Sequence, residues 1–102
     1  MKELNKDNFQ TEISKGNTIV DFWAPWCGPC KMLGPIFEEL SEEVKQVNFA
    51  KVNVDDNQDI SMQAQVRGIP TMVLYKDGSE LTRIVGFLPK DQLKSKIEEA
   101  FN

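Results

Sequence analysis

The sequence predicts an α/β protein with a central mixed β-sheet and helices on both of its faces. Segments with apolar residues at helical spacing alternate with short β-branched and aromatic segments over the first half of the chain, an order that requires crossover helices and parallel strands. The pair Asp77-Gly78 then separates two consecutive strand-like segments, which indicates an antiparallel hairpin. The expected order is α-β-α-β-α-β-β-α, and a stub of strand at residues 2–4 could precede it.

The first half of the chain is predicted to hold two helices and two strands. Residues 7–15 carry two apolar side chains four positions apart, the spacing of a short amphipathic helix. The segment 18–23, TIVDFW, is β-branched and aromatic, which is typical of a strand buried on both faces. A long helix is expected over 28–45, bent where Pro35 removes a backbone hydrogen bond, and the next strand over 47–54.

The second half is predicted to close the sheet with antiparallel strands. A weaker helix is expected over 57–66, and the strands 71–76 and 80–86 form the hairpin. Pro89 opens the last helix, at a position where proline is tolerated, and three apolar residues spaced four apart give this helix a buried stripe.

Length and charge restrict the classes of protein that the chain can belong to. Its 102 residues suit one domain, 1–102, and 40% of them are apolar, an ordinary value for a globular protein. The net charge of −4 argues against a nucleic-acid partner, which needs a basic face. The apolar runs are too short for a membrane span, and the N-terminus lacks the apolar stretch of a secretory signal. We therefore expect a cytoplasmic protein with no membrane partner.

The stretch WCGPCK holds both cysteines of the chain, three positions apart, and several interpretations compete. A structural zinc site needs four ligands, but the chain has no histidine and no carboxylates cluster beside the cysteines, so we expect no metal. A structural cross-link is disfavoured because so small a loop contributes only about 2 kcal/mol, less than half the value for a loop of about 100 residues. Coincidental free cysteines remain open, although such residues are mostly buried singly.

A redox pair explains this stretch better. Strand 18–23 leads into a short turn, and Cys27 and Cys30 then enter the first turn of the next helix, where residues three apart are neighbours. The free N–H groups of a helix start stabilise a thiolate on Cys27, so Cys27 is expected to attack and Cys30 to resolve. Pro29 stiffens this turn, and Gly28 allows a substrate backbone to approach.

The motif WCGPC after VDFWAP, followed by RGIPT and by VG ahead of a final helix, closely resembles the thioredoxin family over the whole chain. The resemblance implies the thioredoxin fold and a monomeric, general protein-disulfide reductase without a bound cofactor. Its implied partners are disulfide-containing target proteins and thioredoxin reductase, which would regenerate the dithiol with NADPH.

The resemblance also implies roles for residues outside the motif. Asp21 matches a buried carboxylate behind the cysteines, and inside an apolar strand its pKa should rise to a value suited to proton transfer. The alternative is a structural aspartate bonded to the backbone. Lys51 matches a lysine near that carboxylate, or else is a surface lysine lying along apolar groups. Pro70 matches a cis-proline beside the disulfide.

An apolar patch that receives an extended target peptide is the last feature implied by the resemblance. It would be lined by Trp26, Gly28, Pro29, Ile69, Pro70, Gly86 and Phe87. For Trp26 the alternative is a plain core aromatic, whereas Trp23, inside the strand, is assigned to packing. Phe87 is bulky where the family commonly has a small residue, so it could narrow or deepen the groove.

Two other functions stay open at this point. One is a disulfide oxidase or isomerase, although such domains usually carry a histidine within CxxC and an export signal, and the sequence shows neither. The other is a non-catalytic interaction subunit, whose binding would survive loss of both cysteines.

Overall fold

The computed structural model describes residues 1–102, which form five strands and four helices. The strands are β1 (Lys2–Glu3), β2 (Asn17–Trp23), β3 (Asn48–Asn53), β4 (Thr71–Lys76) and β5 (Ser79–Val85). The helices are α1 (Phe9–Ile13), α2 (Gly28–Glu43), α3 (Gln58–Gln63) and α4 (Lys90–Ala100). The order of elements and the hairpin are those predicted, including the stub of strand at the N-terminus.

The strands form one mixed sheet in the order β1-β3-β2-β4-β5. β3 runs parallel to both β1 and β2, whereas β4 runs antiparallel to β2 and to β5. β2 is therefore the central strand, and it pairs in parallel with β3 on one side and antiparallel with β4 on the other. This confirms the predicted fold class.

Each face of the sheet carries its own apolar core. The α2 face is covered by α2 and α4 and includes Ile19, Leu33, Phe37, Leu40, Phe49, Met72, Leu74, Leu93 and Ile97. The α1 face is covered by α1 and α3 and includes Phe9, Ile13, Val20, Phe22, Ala50, Val52, Ile60, Val73 and Tyr75. Successive residues of β2 alternate between the two cores, so Asp21, two positions after Ile19, lies on the α2 face.

The helices are shorter than predicted because local hydrogen bonds define their ends. Before α1, the side chain of Asn8 accepts a hydrogen bond from the backbone N–H of Asn5 at 2.7 Å, and this turn delays the helix until Phe9. After α3, Gln65 adopts a left-handed conformation with φ 57°, which ends the helix early. Pro35 lies within α2, as expected. None of the four helices is long and apolar enough to cross a membrane.

Candidate active site

The two cysteines lie where the central strand passes into the longest helix. β2 ends at Trp23, and Cys27 occupies the N-cap position of α2. A disulfide joins Cys27 to Cys30, whose Cα atoms are 5.2 Å apart. The backbone N–H of Cys30 points at Cys27 Sγ, 3.2 Å away, so the sulfur takes the place of a capping oxygen. No group of three or more histidine, cysteine or carboxylate side chains is arranged so that it could hold a metal ion, either at the pair or elsewhere.

The two cysteines are buried to nearly the same extent. Cys27 is 5% exposed and Cys30 4%, because both sulfurs pack with Ala24 at the top of the sheet. The two cysteines differ instead in their surroundings. Gly28 is exposed, and a Cβ placed on it would meet no atom within 4 Å. Cys27 therefore borders open space, whereas Cys30 lies on the buried side of α2 with Leu33.

The loop before β4, the strand next to β2, reaches the disulfide. The Ile69–Pro70 bond is cis, which confirms the expectation for Pro70. The carbonyl oxygen of Ile69 lies 3.8 Å from Cys27 Sγ, and Ile69 packs against the cysteine cluster. Gly86, at φ +93°, donates its N–H to the carbonyl oxygen of Pro70 at 2.8 Å. Three of the predicted patch residues, Ile69, Pro70 and Gly86, are thus adjacent to one another, and Ile69 contacts the cysteines.

Trp26 is a surface residue held in place by a carboxylate. Its side chain is 68% exposed, which contradicts the alternative of a plain core aromatic. The indole N–H points at both oxygens of Asp55, at 3.2 and 3.1 Å. Asp55 was not predicted from the sequence. A signal was present, because Asp55 follows β3 at the edge where the carboxyl ends of β2 and β3 meet.

Phe87 lies differently from its predicted partners. It is half-buried and packs, with Leu88, against the core of the α2 face. Part of its side chain is therefore packed against the core, and only the remaining exposed part is free to contact a target. Pro29 is exposed, as a residue that contacts a target would be.

Asp21 is a buried carboxyl without a partner. The residue is 1% exposed, and neither of its oxygens has a hydrogen-bond partner, so the alternative of an aspartate bonded to the backbone is wrong. Burial raises the pKa of Asp21 from its ordinary value of 3.8 to about 7, while the positive charge of Lys51 lowers it and the negative charge of Glu3 raises it. This confirms the expected direction of the pKa shift.

Lys51 is the neighbour of Asp21 on the adjacent strand. The two residues are paired in the register of β2 and β3, so both side chains lie on the α2 face. Lys51 is half-buried, and its Nζ lies 4.4 Å from the centroid of the Trp23 ring, a cation–π contact. Trp23 is itself half-buried against the cysteine cluster, in line with the packing role expected for it.

Comparisons with known proteins agree with this geometry. A family model described as Thioredoxin matches residues 1–99. A thioredoxin of Chlorobaculum thiosulfatiphilum is 47% identical over 100 residues, covering 95% of this chain and 93% of its own. A thioredoxin of Bacillus subtilis is 42% identical over 93 residues, covering 90% and 89%. The chain belongs to the thioredoxin family.

A solved thioredoxin-family structure, that of Plasmodium falciparum thioredoxin, superposes on this one with a TM-score of 0.91 at 35% identity, covering 97% of this chain and 98% of that one. Family membership and the disulfide at the start of α2 establish the chemistry. The protein is a thiol–disulfide oxidoreductase that acts by dithiol–disulfide exchange through Cys27 and Cys30.

Proposed function

We propose that the protein is a general protein-disulfide reductase in which Cys27 attacks the target and Cys30 resolves the intermediate. The observation that carries this assignment is the N-cap position of Cys27 on the 16-residue helix α2, with the Cys30 N–H aimed at its sulfur. In the reduced protein, that N–H and the helix dipole favour a thiolate at Cys27. Gly28, the next residue after Cys27, leaves open space into which a target backbone can approach.

The reaction transfers two electrons from the dithiol to the target. The Cys27 thiolate attacks one sulfur of the target disulfide; the target S–S bond breaks, and its other sulfur leaves as a thiolate. Cys30 then loses its proton and attacks Cys27 Sγ, which breaks the mixed disulfide and releases the second target thiolate. The protein is left with the Cys27–Cys30 disulfide, and the two released thiolates take up protons.

Asp21 supports the second step as the group that accepts the proton of Cys30. Both residues lie in the layer between the sheet and α2, where bulk water is excluded. A pKa of about 7 leaves Asp21 partly ionised near neutral pH, so it can take up a proton and release it again. Lys51 helps by stabilising the ionised form.

The target is held by the surface around the sulfurs. The exposed indole of Trp26 is fixed by Asp55, which limits the entropy lost when a target packs on it. The backbone of Ile69, beside Cys27, can pair with an extended target segment as an added strand. Gly28, Pro29, Pro70, Gly86 and Phe87 complete this surface in the proposal. Backbone pairing is independent of target sequence, which suits a reductase of broad specificity.

Recycling by thioredoxin reductase with NADPH completes the proposal, in keeping with membership of the family. The cytosol keeps such a dithiol reduced, so we place the protein in the cytosol, as a monomer. The test combines the protein with a bacterial thioredoxin reductase, NADPH and insulin. We expect NADPH oxidation that depends on both the protein and insulin; consumption at the level of a Cys27→Ser, Cys30→Ser control would contradict the proposal.

The assignment of the two cysteines is tested by trapping. Cys30→Ser leaves the attacking thiol but no resolving thiol, so mixed disulfides with target proteins should accumulate through Cys27. Cys27→Ser is the matched control and should trap at least about tenfold less. Non-reducing electrophoresis and mass spectrometry measure the adducts. If targets were linked mainly through Cys30 in the Cys27→Ser variant, the roles would be inverted.

A further inference from the structure

Three charged side chains form a row across three neighbouring strands. The register pairs Glu3 of β1 with Lys51 of β3, and Lys51 with Asp21 of β2. The backbone N–H of Leu4 donates to the carbonyl oxygen of Lys51 at 2.7 Å, which fixes β1 at this register. Residues paired in this way project from the same side of a sheet. Glu3 is therefore directed to the α2 face, the face of Asp21.

The neighbours of Glu3 in β1 support this orientation independently. Lys2 forms an ion pair at 2.8 Å with Glu12 of α1, so Lys2 is on the α1 face. Leu4 belongs to the core of the α1 face. Because side chains alternate along a strand, Glu3, which lies between these two residues, projects to the opposite face.

We propose that Glu3 is a positioning residue for the exchange reaction: from its place in the row of charges, its carboxylate opposes the field of Lys51 at the buried carboxyl of Asp21. The proposal rests on the proton-accepting role of Asp21 given above. Neither oxygen of Asp21 has a hydrogen-bond partner, so its proton affinity is governed by burial and by nearby charges. Lys51 Nζ lies over the Trp23 ring and leaves the carboxyl without a direct bond.

Two charged groups, Glu3 and Lys51, act on the carboxyl of Asp21. β1 contributes Glu3, β3 contributes Lys51, β4 places Met72 directly opposite, and α2 brings Cys30 as its buried titratable side chain. In the oxidised protein the sulfur of Cys30 is in the disulfide and carries no proton. The balance between one positive and one negative neighbour then sets the charge effect on Asp21, and the pKa of Asp21 is raised by Glu3 and lowered by Lys51.

The test measures the titration of Asp21 itself. The side-chain carboxyl ¹³C shift of Asp21 is followed against pH in the oxidised protein, and the signal is assigned by its loss in Asp21→Asn. Two strand spacings separate Glu3 from Asp21 by roughly 10 Å. Coulomb's law with an effective dielectric constant of about 40 to 80 then gives a downward shift of about 0.3 to 0.6 pH unit for Glu3→Gln. Lys51→Met should shift the midpoint upwards.

Matched variants separate charge from structure. Glu3→Asp keeps the charge, so its midpoint should differ from that of wild type by less than about half of the Glu3→Gln shift. If Glu3 acted only through its shape, Glu3→Asp would shift the midpoint as much as Glu3→Gln does. Glu98→Gln removes the same charge from α4, at a position that is exposed like Glu3 but lies outside the row of charges, and should leave the midpoint unchanged. In 1 M salt the Glu3→Gln shift should shrink, because the Debye length is about 3 Å.

An Asp21 midpoint that does not move in Glu3→Gln, or that moves equally in Glu98→Gln, overturns the proposal. The pH dependence of insulin reduction is measured on the same variants. A midpoint that moves while the pH–rate profile does not would support the coupling of Glu3 to Asp21 and refute the proton-accepting role of Asp21. The two proposals therefore fail separately.

Discussion

Replacing Asp21 by Asn should stabilise the protein, and the effect should depend on pH. The carboxyl is 1% exposed and has no hydrogen-bond partner, so its ionised form is poorly solvated in the folded protein. Asn has nearly the same shape and is neutral at every pH. The comparison of wild type with Asp21→Asn in the oxidised protein therefore isolates the free energy of ionising one buried group.

The sign and size of this stability change follow from the pKa values of Asp21 in the folded and the unfolded protein. The pKa is about 7 in the folded protein, against an ordinary 3.8 for the unfolded chain, so the folded state binds the proton more tightly. This proton stabilises the folded state fully below about pH 3.8. The stabilisation declines as the pH rises from about 3.8 to about 7 and is absent above about pH 7. At 1.36 kcal/mol per pKa unit, wild type loses about 4 kcal/mol that Asp21→Asn retains.

Urea denaturation at pH 4, 6 and 8 provides the measurement. The free energy of unfolding of Asp21→Asn minus that of wild type should increase by about 3 to 4 kcal/mol from pH 4 to pH 8. Asp56→Asn, an exposed aspartate with the same chemical change, is the control and should show a constant difference. If the Asp21→Asn difference were also independent of pH, Asp21 would not titrate as a buried, isolated carboxyl, and the reasoning would be refuted.

Two further predictions concern the contact between β5 and α3. Arg83 donates hydrogen bonds to the carbonyl oxygens of Ala64 and Gln65 and forms an ion pair with Glu80. Arg83→Ala should therefore lower the free energy of unfolding, measured in urea, by about 1 to 2 kcal/mol. Glu80→Gln keeps the bonds to the carbonyl oxygens and should lower the free energy of unfolding by less. Gln65→Gly should raise the free energy of unfolding by up to about 1 kcal/mol, because glycine tolerates φ 57° better than glutamine does. A less stable Gln65→Gly variant would contradict this prediction.

Much of the fold could be predicted because the pattern of apolar residues in each element reports how many of its faces are buried. The TIVDFW segment is apolar on both sides, and β2 is indeed the central strand with a core on each face. The helix ends were predicted less well. The turn of Asn5 and Asn8 and the left-handed Gln65 depend on short-range hydrogen bonds and backbone geometry that apolar periodicity does not report.

The candidate site divides in the same way. Residues that are close in sequence, such as Cys27 and Cys30, could be predicted as site residues because one motif contains both of them. The equal burial of the two sulfurs could not, because it depends on how Ile69 and Ala24 pack over them. Asp55 was missed because its contact with Trp26 spans 29 positions.

The environment of Asp21 shows why register matters more than motif for this chemistry. Positions 3, 21 and 51 are far apart in sequence and meet only because β1, β3 and β2 pair at one register. A slip of β1 by one residue would turn Glu3 to the α1 face and bring Lys2 or Leu4 to the α2 face. The Leu4–Lys51 hydrogen bond opposes that slip. A strand of only two residues, too short to add much to the sheet, can thus place a charge two strands away from the buried carboxyl that we propose as the proton acceptor.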